Sequence, residues 1–331
     1  MEIRELAESE YAAWDELAKD SPHGTIFHRS AWLQACSNSL GKHLEIYGCF
    51  EREDLIGGCS IFVDKSRLFQ SADSNAAMTP YGGVLLRPPI SSNVRREEAR
   101  YGAILGGLLE FLEQKQFGRI RITSSPEFLD IRPFTWRGWQ SIVYYAYYLG
   151  LASAIAPGVS KSARWAARKG IKSNLAVRKL ERPDVENYYR IFSMTFQRQN
   201  LNPPVDVKFL QSILEMLDHE RAGEVWTAET VGGDLACAEI IIWDDKRAYR
   251  WSAASNTDLR DTGATSLLLT EIFRDLKERG FKEINLMAAN TPHLSRFIAS
   301  FNPRLLPYYC VQKKAPIVAV IDRFRNALSR M

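Results

Sequence analysis

Two hairpin signals that begin about 180 residues apart, at Leu44 and at Glu224, constrain this chain more than anything else in it. In the first, Leu44–Phe50 and Leu55–Val63 read as strands joined by a polar turn at Glu51–Asp54. In the second, Glu224–Val231 and Leu235–Trp243 are joined through Gly232-Gly233. Each hairpin follows helices and precedes a third strand, a long helix, another strand and a final strand. A period of this length is too long for a solenoid, so the order predicts two copies of one α/β unit. Strands joined by short hairpins cannot all run parallel, so each sheet is expected to be mixed. At 331 residues, 46% hydrophobic and 25% charged, the chain can bury two cores.

The first half reads as a helix around Tyr11, Trp14 and Leu17, and a second helix capped by Ser30 and carrying Trp32 and Leu33. After the hairpin come a long polar loop from Asp64 to Pro80, a strand opened by Tyr81-Gly82-Gly83 and a helix over Arg95–Gln116. The strands Gly118–Thr123 and Ile142–Tyr148 end the half. Residues 138–160 carry no charge and are long enough to span a bilayer. Their tyrosines and β-branched residues favour a buried strand instead, and Gly150–Ser160 reads as a linker. The expected domains are 1–150 and 161–314, with a linker at 151–160. A C-terminal helix over 315–331, with Ile317, Ile321, Phe324 and Leu328 on one face, is expected to pack on the body of the protein.

Net charge is +4, mixed in sign along the chain, with no acidic or basic tail. The five cysteines show no C-x-x-C spacing, which argues against a disulfide framework or a zinc site and suits a reducing cytoplasm. The first residues, MEIRELAESEYAAW, are acidic and helical in pattern and lack the basic-then-apolar order of a signal peptide. There is no G-x-S-x-G elbow, Walker loop or H-x-x-x-H pair.

The stretch from Tyr249 to Phe281 carries the clearest chemistry. A strand ending near Ala253 leads through a polar loop into the turn Arg260-Asp261-Thr262-Gly263-Ala264-Thr265 and then an amphipathic helix. That helix has Leu268, Ile272 and Leu276 on one face and Gly280 past its end. A glycine turn at a helix start lets the backbone approach a ligand and aims free N–H groups outward at the positive end of the helix dipole. Arg260, Gly263, Ala264, Thr265 and Ser266 are therefore the candidate pyrophosphate-binding residues, with successive backbone amides holding the phosphates.

The spacing of Arg260, Gly263 and Thr265 resembles the R/Q-x-x-G-x-G/A loop of GNAT-type N-acyltransferases. HRSAWL near the start, TPYGG at Thr79–Gly83, the basic stretch SKSARWAARKG and the run INLMAANTPHLSRFIASFNPRLLPYY extend the resemblance to the FemABX-like branch of tandem GNAT proteins, over nearly the whole chain. The resemblance implies two GNAT-like domains and transfer of an acyl or aminoacyl group to an amine on a small molecule, peptide or glycan. The donor it implies is acyl-CoA, acetyl-CoA in the simplest case, or an aminoacyl-tRNA, with no metal. Two departures stand out: Ile298 follows Phe297 where relatives that use cell-wall precursors carry Lys, and Asn285 stands where an Asp is common. Both weaken a cell-wall substrate and leave a non-catalytic binding protein as an alternative.

Acylating an amine needs a group to take its proton and a donor for the oxyanion. Glu239, among Ala238, Ile240 and Ile241, is either a carboxylate on an exposed face or a base of raised pKa. Tyr249, Ser252, Asn290 and His293 lie near predicted strand ends, where open α/β sheets place ligands. Of these, Tyr249 and Asn290 join Glu239 as catalytic candidates. Arg164 and Arg168, four apart on the basic helix, suit a phosphate-rich substrate, and Tyr81 and Trp251 complete the substrate-binding candidates.

Overall fold

The acidic first residues form an edge strand, β1 (Glu2–Glu5), and after a 3-10 turn at Glu8–Glu10 the first α-helix is α1 (Tyr11–Asp20). Pairing decides this: β1 lies antiparallel on β2 (His43–Glu51), and Leu6 just beyond it is buried, so tertiary contact overrides the helical pattern. Ser30 opens α2 (Ser30–Leu40) from inside the helix, and its hydroxyl donates to Asp15 Oδ2 at 2.6 Å where a cap was expected. The structure is a computed structural model that describes residues 1–65, 69–152, 159–198 and 200–318. The terminal helix expected over 315–331 lies outside the described residues from 319 onward, as do 153–158 of the expected linker.

Two units emerge from the chain, one of Met1–Tyr144 with the residues from Tyr308 on, the other of Tyr145–Pro307. In the first, β2 and β3 (Asp54–Lys65) make the expected hairpin. The polar loop expected after it contains a further strand, β4 (Gln70–Asp73), antiparallel to β3. β5 (Gly83–Leu86), α3 (Val94–Gln114) and β6 (Arg119–Thr123) follow, then a short helix α4 (Arg132–Trp136) that periodicity missed. β4 and β6 run parallel, and β6 pairs antiparallel with the chain's last strand, β13 (Arg304–Lys314). Leu105, Leu108, Leu109 and Leu112 of α3 pack with Ile61, Ile122 and Val311 into this unit's core.

The tyrosine-rich segment 138–160 is a strand, β7 (Gln140–Gly150), and no helix among the described residues is long and apolar enough to cross a membrane. From Tyr145 on, β7 belongs to the second unit, which continues through α5 (Lys161–Lys172), β8 (Ala176–Leu180), α6 (Val185–Gln197) and α7 (Val207–Glu220). The hairpin β9 (Gly223–Glu229) and β10 (Leu235–Trp243) comes next, then β11 (Ala248–Ser255), a 3-10 turn (Thr257–Thr262), α8 (Ala264–Glu278), β12 (Glu283–Ala288) and α9 (Pro292–Ala299). Its strands are ordered β7-β12-β11-β10-β9-β8, mixed as expected. Leu268, Ile272 and Leu276, the predicted apolar face of α8, fill its core with Ile284 and Ile298.

Each unit thus has a parallel strand pair at its centre, β4 with β6 and β11 with β12. Each also has one antiparallel strand contributed by the opposite half of the sequence: β13 completes the first sheet and β7 the second.

Candidate active site

In the second unit, β11 and β12 begin together and then part. Their parallel ladder covers only Ala248 with Ile284 and Tyr249 with Asn285. β11 stays on β10 to its end, where Ser255 faces Cys237, with a bulge that makes Trp251 the extra residue between Arg250 and Ser252. β12 turns the other way. Its pairing with β7 slips by one residue between Asn285 and Met287, and Met287 and Ala288 take left-handed φ of 51° and 50°. Asn285 holds this kink, since its fully buried side-chain Oδ1 accepts from Met287 N at 2.8 Å. Bulges bend strands in this way beside binding sites. The outcome is a length of β11 past Tyr249 whose second edge β12 does not pair.

From there β11 leads through the 3-10 turn to the start of α8. α5, α6 and α7 each begin with a Ser or Asp whose side chain caps the helix, whereas α8 begins at Gly263 with no side-chain cap and no acidic residue in its first turn. No side chain caps the leading N–H groups of this 15-residue helix, which lie at the positive end of its dipole. Arg260 is exposed nearby, with Asp261 4.0 Å away. These groups suit a pyrophosphate.

Gly263 has a second duty that sequence reading did not foresee. Its φ is +82°, and a Cβ there would lie 2.2 Å from the carbonyl oxygen of Ala166 on α5. Gly170, one turn further along α5, faces Leu267 and Gly263 O in the same way. The glycines therefore let α5 lie against the first turn of α8, so a bulky residue at 263 would disturb the fold as well as a ligand. Thr265 Oγ1 and Ser255 Oγ are 3.5 Å apart, and Ala264 and Ser266 are buried.

Glu239 is fully buried and gripped by both arms of the Arg250 guanidinium at 2.6 and 2.8 Å. Burial pushes its carboxyl up, and Arg250 opposes the shift. Beside the pair, Tyr188 and Ser252 share a hydroxyl contact of 2.6 Å. Tyr249 is buried too, its hydroxyl donating to Asp244 Oδ2 at 2.6 Å, and its phenol is held well above the usual range by burial and then by Asp244. Asn290 is exposed and clamps the backbone of Tyr145, accepting from its N–H and donating to its carbonyl, both at 2.9 Å. The catalytic candidates thus fall into three separate surroundings. Trp251 is buried at the bulge, and Arg164 and Arg168 lie exposed on α5. Arg250 and Tyr188 were missed. A lone carboxylate among isoleucines was the available signal, since a buried charge calls for a partner.

The first unit opens at the matching place. After Asp73 and Arg121, the last parallel partners, β4 and β6 diverge around a cavity of about 440 Å³. Lys42, Asp73, Arg121, Tyr144 and Tyr308 line it. Arg121 Nη1 is 3.6 Å from Asp73 Oδ2, and burial raises the Asp73 carboxyl against the pull of Arg121. The TPYGG stretch builds one wall. Gly82 passes so close to Ser74 that a Cβ would lie 2.1 Å from its carbonyl oxygen, Thr79 O accepts from Asn75 Nδ2 at 2.7 Å, and Tyr81 packs edge-on against Tyr308. Here the long helix carries a side-chain cap, Asn93 Oδ1 accepting from Arg96 N at 3.1 Å.

Residues 158–294 match the family described as Acetyltransferase (GNAT) domain. Over this segment the chain is similar to GNAT domains. The fold of the chain is that of tandem GNAT proteins. It is similar to the crystal structure of FemX with a TM-score of 0.69 at 10% identity, covering 93% of this chain and 97% of that one. A tandem GNAT protein from the clavulanic acid biosynthesis pathway aligns with a TM-score of 0.56 at 12% identity, over 94% of this chain and 98% of that one. The C-terminal domain of a lysylphosphatidylglycerol synthetase from Agrobacterium fabrum gives 0.58 at 14%, over 94% of each. No curated protein sequence matches the chain. Within the matched segment, the forked strands β11 and β12 and the uncapped start of α8 are consecutive along the chain. No cluster of metal-ligating side chains occurs among the described residues.

Proposed function

We propose that this chain is an N-acyltransferase whose second unit takes an acyl-CoA, acetyl-CoA in the simplest case, and whose first unit takes the amine acceptor. The observation that carries the donor assignment is the uncapped α8 turn continuous with the length of β11 that parts from β12. The first-turn amides and Arg260 would hold the pyrophosphate, and the length of β11 that parts from β12 offers a backbone edge for an extended amide-bearing chain. The thioester supplies the activated acyl group. The amine nitrogen forms the new C–N bond, the C–S bond breaks with its electron pair leaving on the CoA sulfur, and the amine proton passes through solvent to that thiolate, because Glu239 is bound to Arg250 and the Tyr249 hydroxyl is engaged by Asp244. Rate then rests on positioning more than on a dedicated base.

For the acceptor, the cavity between β4 and β6 offers Asp73 to an ammonium and Lys42 and Arg121 to an anionic group. Five buried thiols accord with a reducing, cytoplasmic setting. The Fem-type likeness carries a second reading in which the donor is an aminoacyl-tRNA. A gel shift with charged tRNA that shows no salt-sensitive complex excludes that donor.

Thermal shift tests the main reading. Stability should climb with acetyl-CoA concentration, by about 2.7 kcal/mol at a hundred times Kd. Arg260→Glu should weaken the response roughly tenfold while leaving the melting of the free protein unchanged. A flat response to every acyl-CoA would count against the assignment.

A further inference from the structure

The charge of the protein is concentrated on one helix. The chain carries +4, yet α5 alone holds Lys161, Arg164, Arg168, Lys169 and Lys172 and no acid, so everything outside it sums to −1. None of these five cations forms an ion pair among the described residues. At 100° per residue, Lys161, Arg164, Trp165, Arg168 and Lys172 fall on one side of the helix. The opposite side is already used. Ala163 and Gly170 are buried, and Ala166 and Gly170 meet Gly263 and Leu267 of α8. The basic face is what remains, and it also exposes two large apolar side chains, Trp165 and Ile171, each 61% accessible.

We infer that the outer face of α5 is a docking surface for an anionic lipid bilayer. Unpaired cations on a rigid helix seek phosphate. Nucleic acid could offer that charge, but the apolar residues decide between the two. One face of Trp165 is covered by Lys169 Nζ, 5.5 Å from the ring centroid, which leaves less room for base stacking. An exposed Ile171 gains nothing from a base edge, whereas both side chains gain from entering the interfacial layer between lipid headgroups. The packing of α5 on α8 supplies a fixed platform, so little ordering entropy opposes binding.

Co-sedimentation of the full chain with vesicles tests the inference. Vesicles of phosphatidylcholine with about 30% phosphatidylglycerol should retain the protein at 0.1 M salt and release it near 0.5 M, and pure phosphatidylcholine should not retain it. The triple variant Arg164→Gln, Arg168→Gln, Lys172→Gln should bind roughly a hundredfold more weakly, about fivefold per charge. Trp165→Ser with Ile171→Ser should lose about tenfold while keeping the salt dependence. All five positions are exposed, so unchanged circular dichroism and melting would show each variant folded. Equal binding to both vesicle types, triple-variant binding as tight as the parent's, or capture of a single-stranded RNA oligonucleotide without capture by the vesicles would overturn it.

Discussion

Gly263 shows how one residue can satisfy two demands at once. Its positive φ starts α8 without a cap, and its missing Cβ admits the Ala166 carbonyl. Gly263→Val should therefore cost about 2–4 kcal/mol in urea unfolding and should not be a clean test of ligand binding. Sequence made the first demand visible, through the spacing of Arg260, Gly263 and Thr265, but not the second. A close helix contact leaves no local pattern, only small residues such as Ala163, Ala166 and Gly170 on α5. Asp73 gives a residue-scale prediction in pH. Its folded carboxyl is raised, so above the unfolded value of about 3.9 the unfolded chain gives up a proton that the folded chain keeps. Its contribution to stability should then fall as pH rises from about 3.9 through its folded value. Asp73→Asn should remove that slope from a plot of melting temperature against pH, and an unchanged slope would place the titration elsewhere.

At the scale of elements, the central strand pairs do the positioning. β11 keeps β10 and loses β12, and the buried Glu239–Arg250 pair sits on the hairpin that stays together. Glu239→Gln alone should destabilise by about 3–5 kcal/mol, because it strands the Arg250 charge in the core. Replacing both with apolar residues of similar size, Glu239→Leu with Arg250→Met, should recover most of that loss. The double variant should also keep acyl transfer. Loss of transfer in a stable double variant would give Glu239 a chemical role after all. Most elements were legible, since α3, α8 and both hairpins announce themselves by period and turn residues. β4 was not, because four residues, Gln70–Asp73, carry no run of apolar alternation and become a strand only between β3 and β6.

For the whole molecule, what matters is that the repeat is real in each unit and unequal in chemistry. Both units fork a parallel strand pair. The second leads its fork into an uncapped helix, and the first lines its fork with Asp73, Arg121 and Lys42 and caps its long helix with Asn93. The repeat of hairpins showed the two halves, but not that β7 and β13 would each complete the sheet of the other half. A strand's own pattern tells which face it buries and says nothing about its neighbour.

The central claim is that the α8 turn and the β11 edge together hold the donor. Hydrogen exchange with and without saturating acetyl-CoA tests it most directly. The account predicts slowed exchange over residues 250–255 and 263–267, with little change over β4 and β6 of the first unit. Binding that protects other segments and leaves those two unchanged would contradict it.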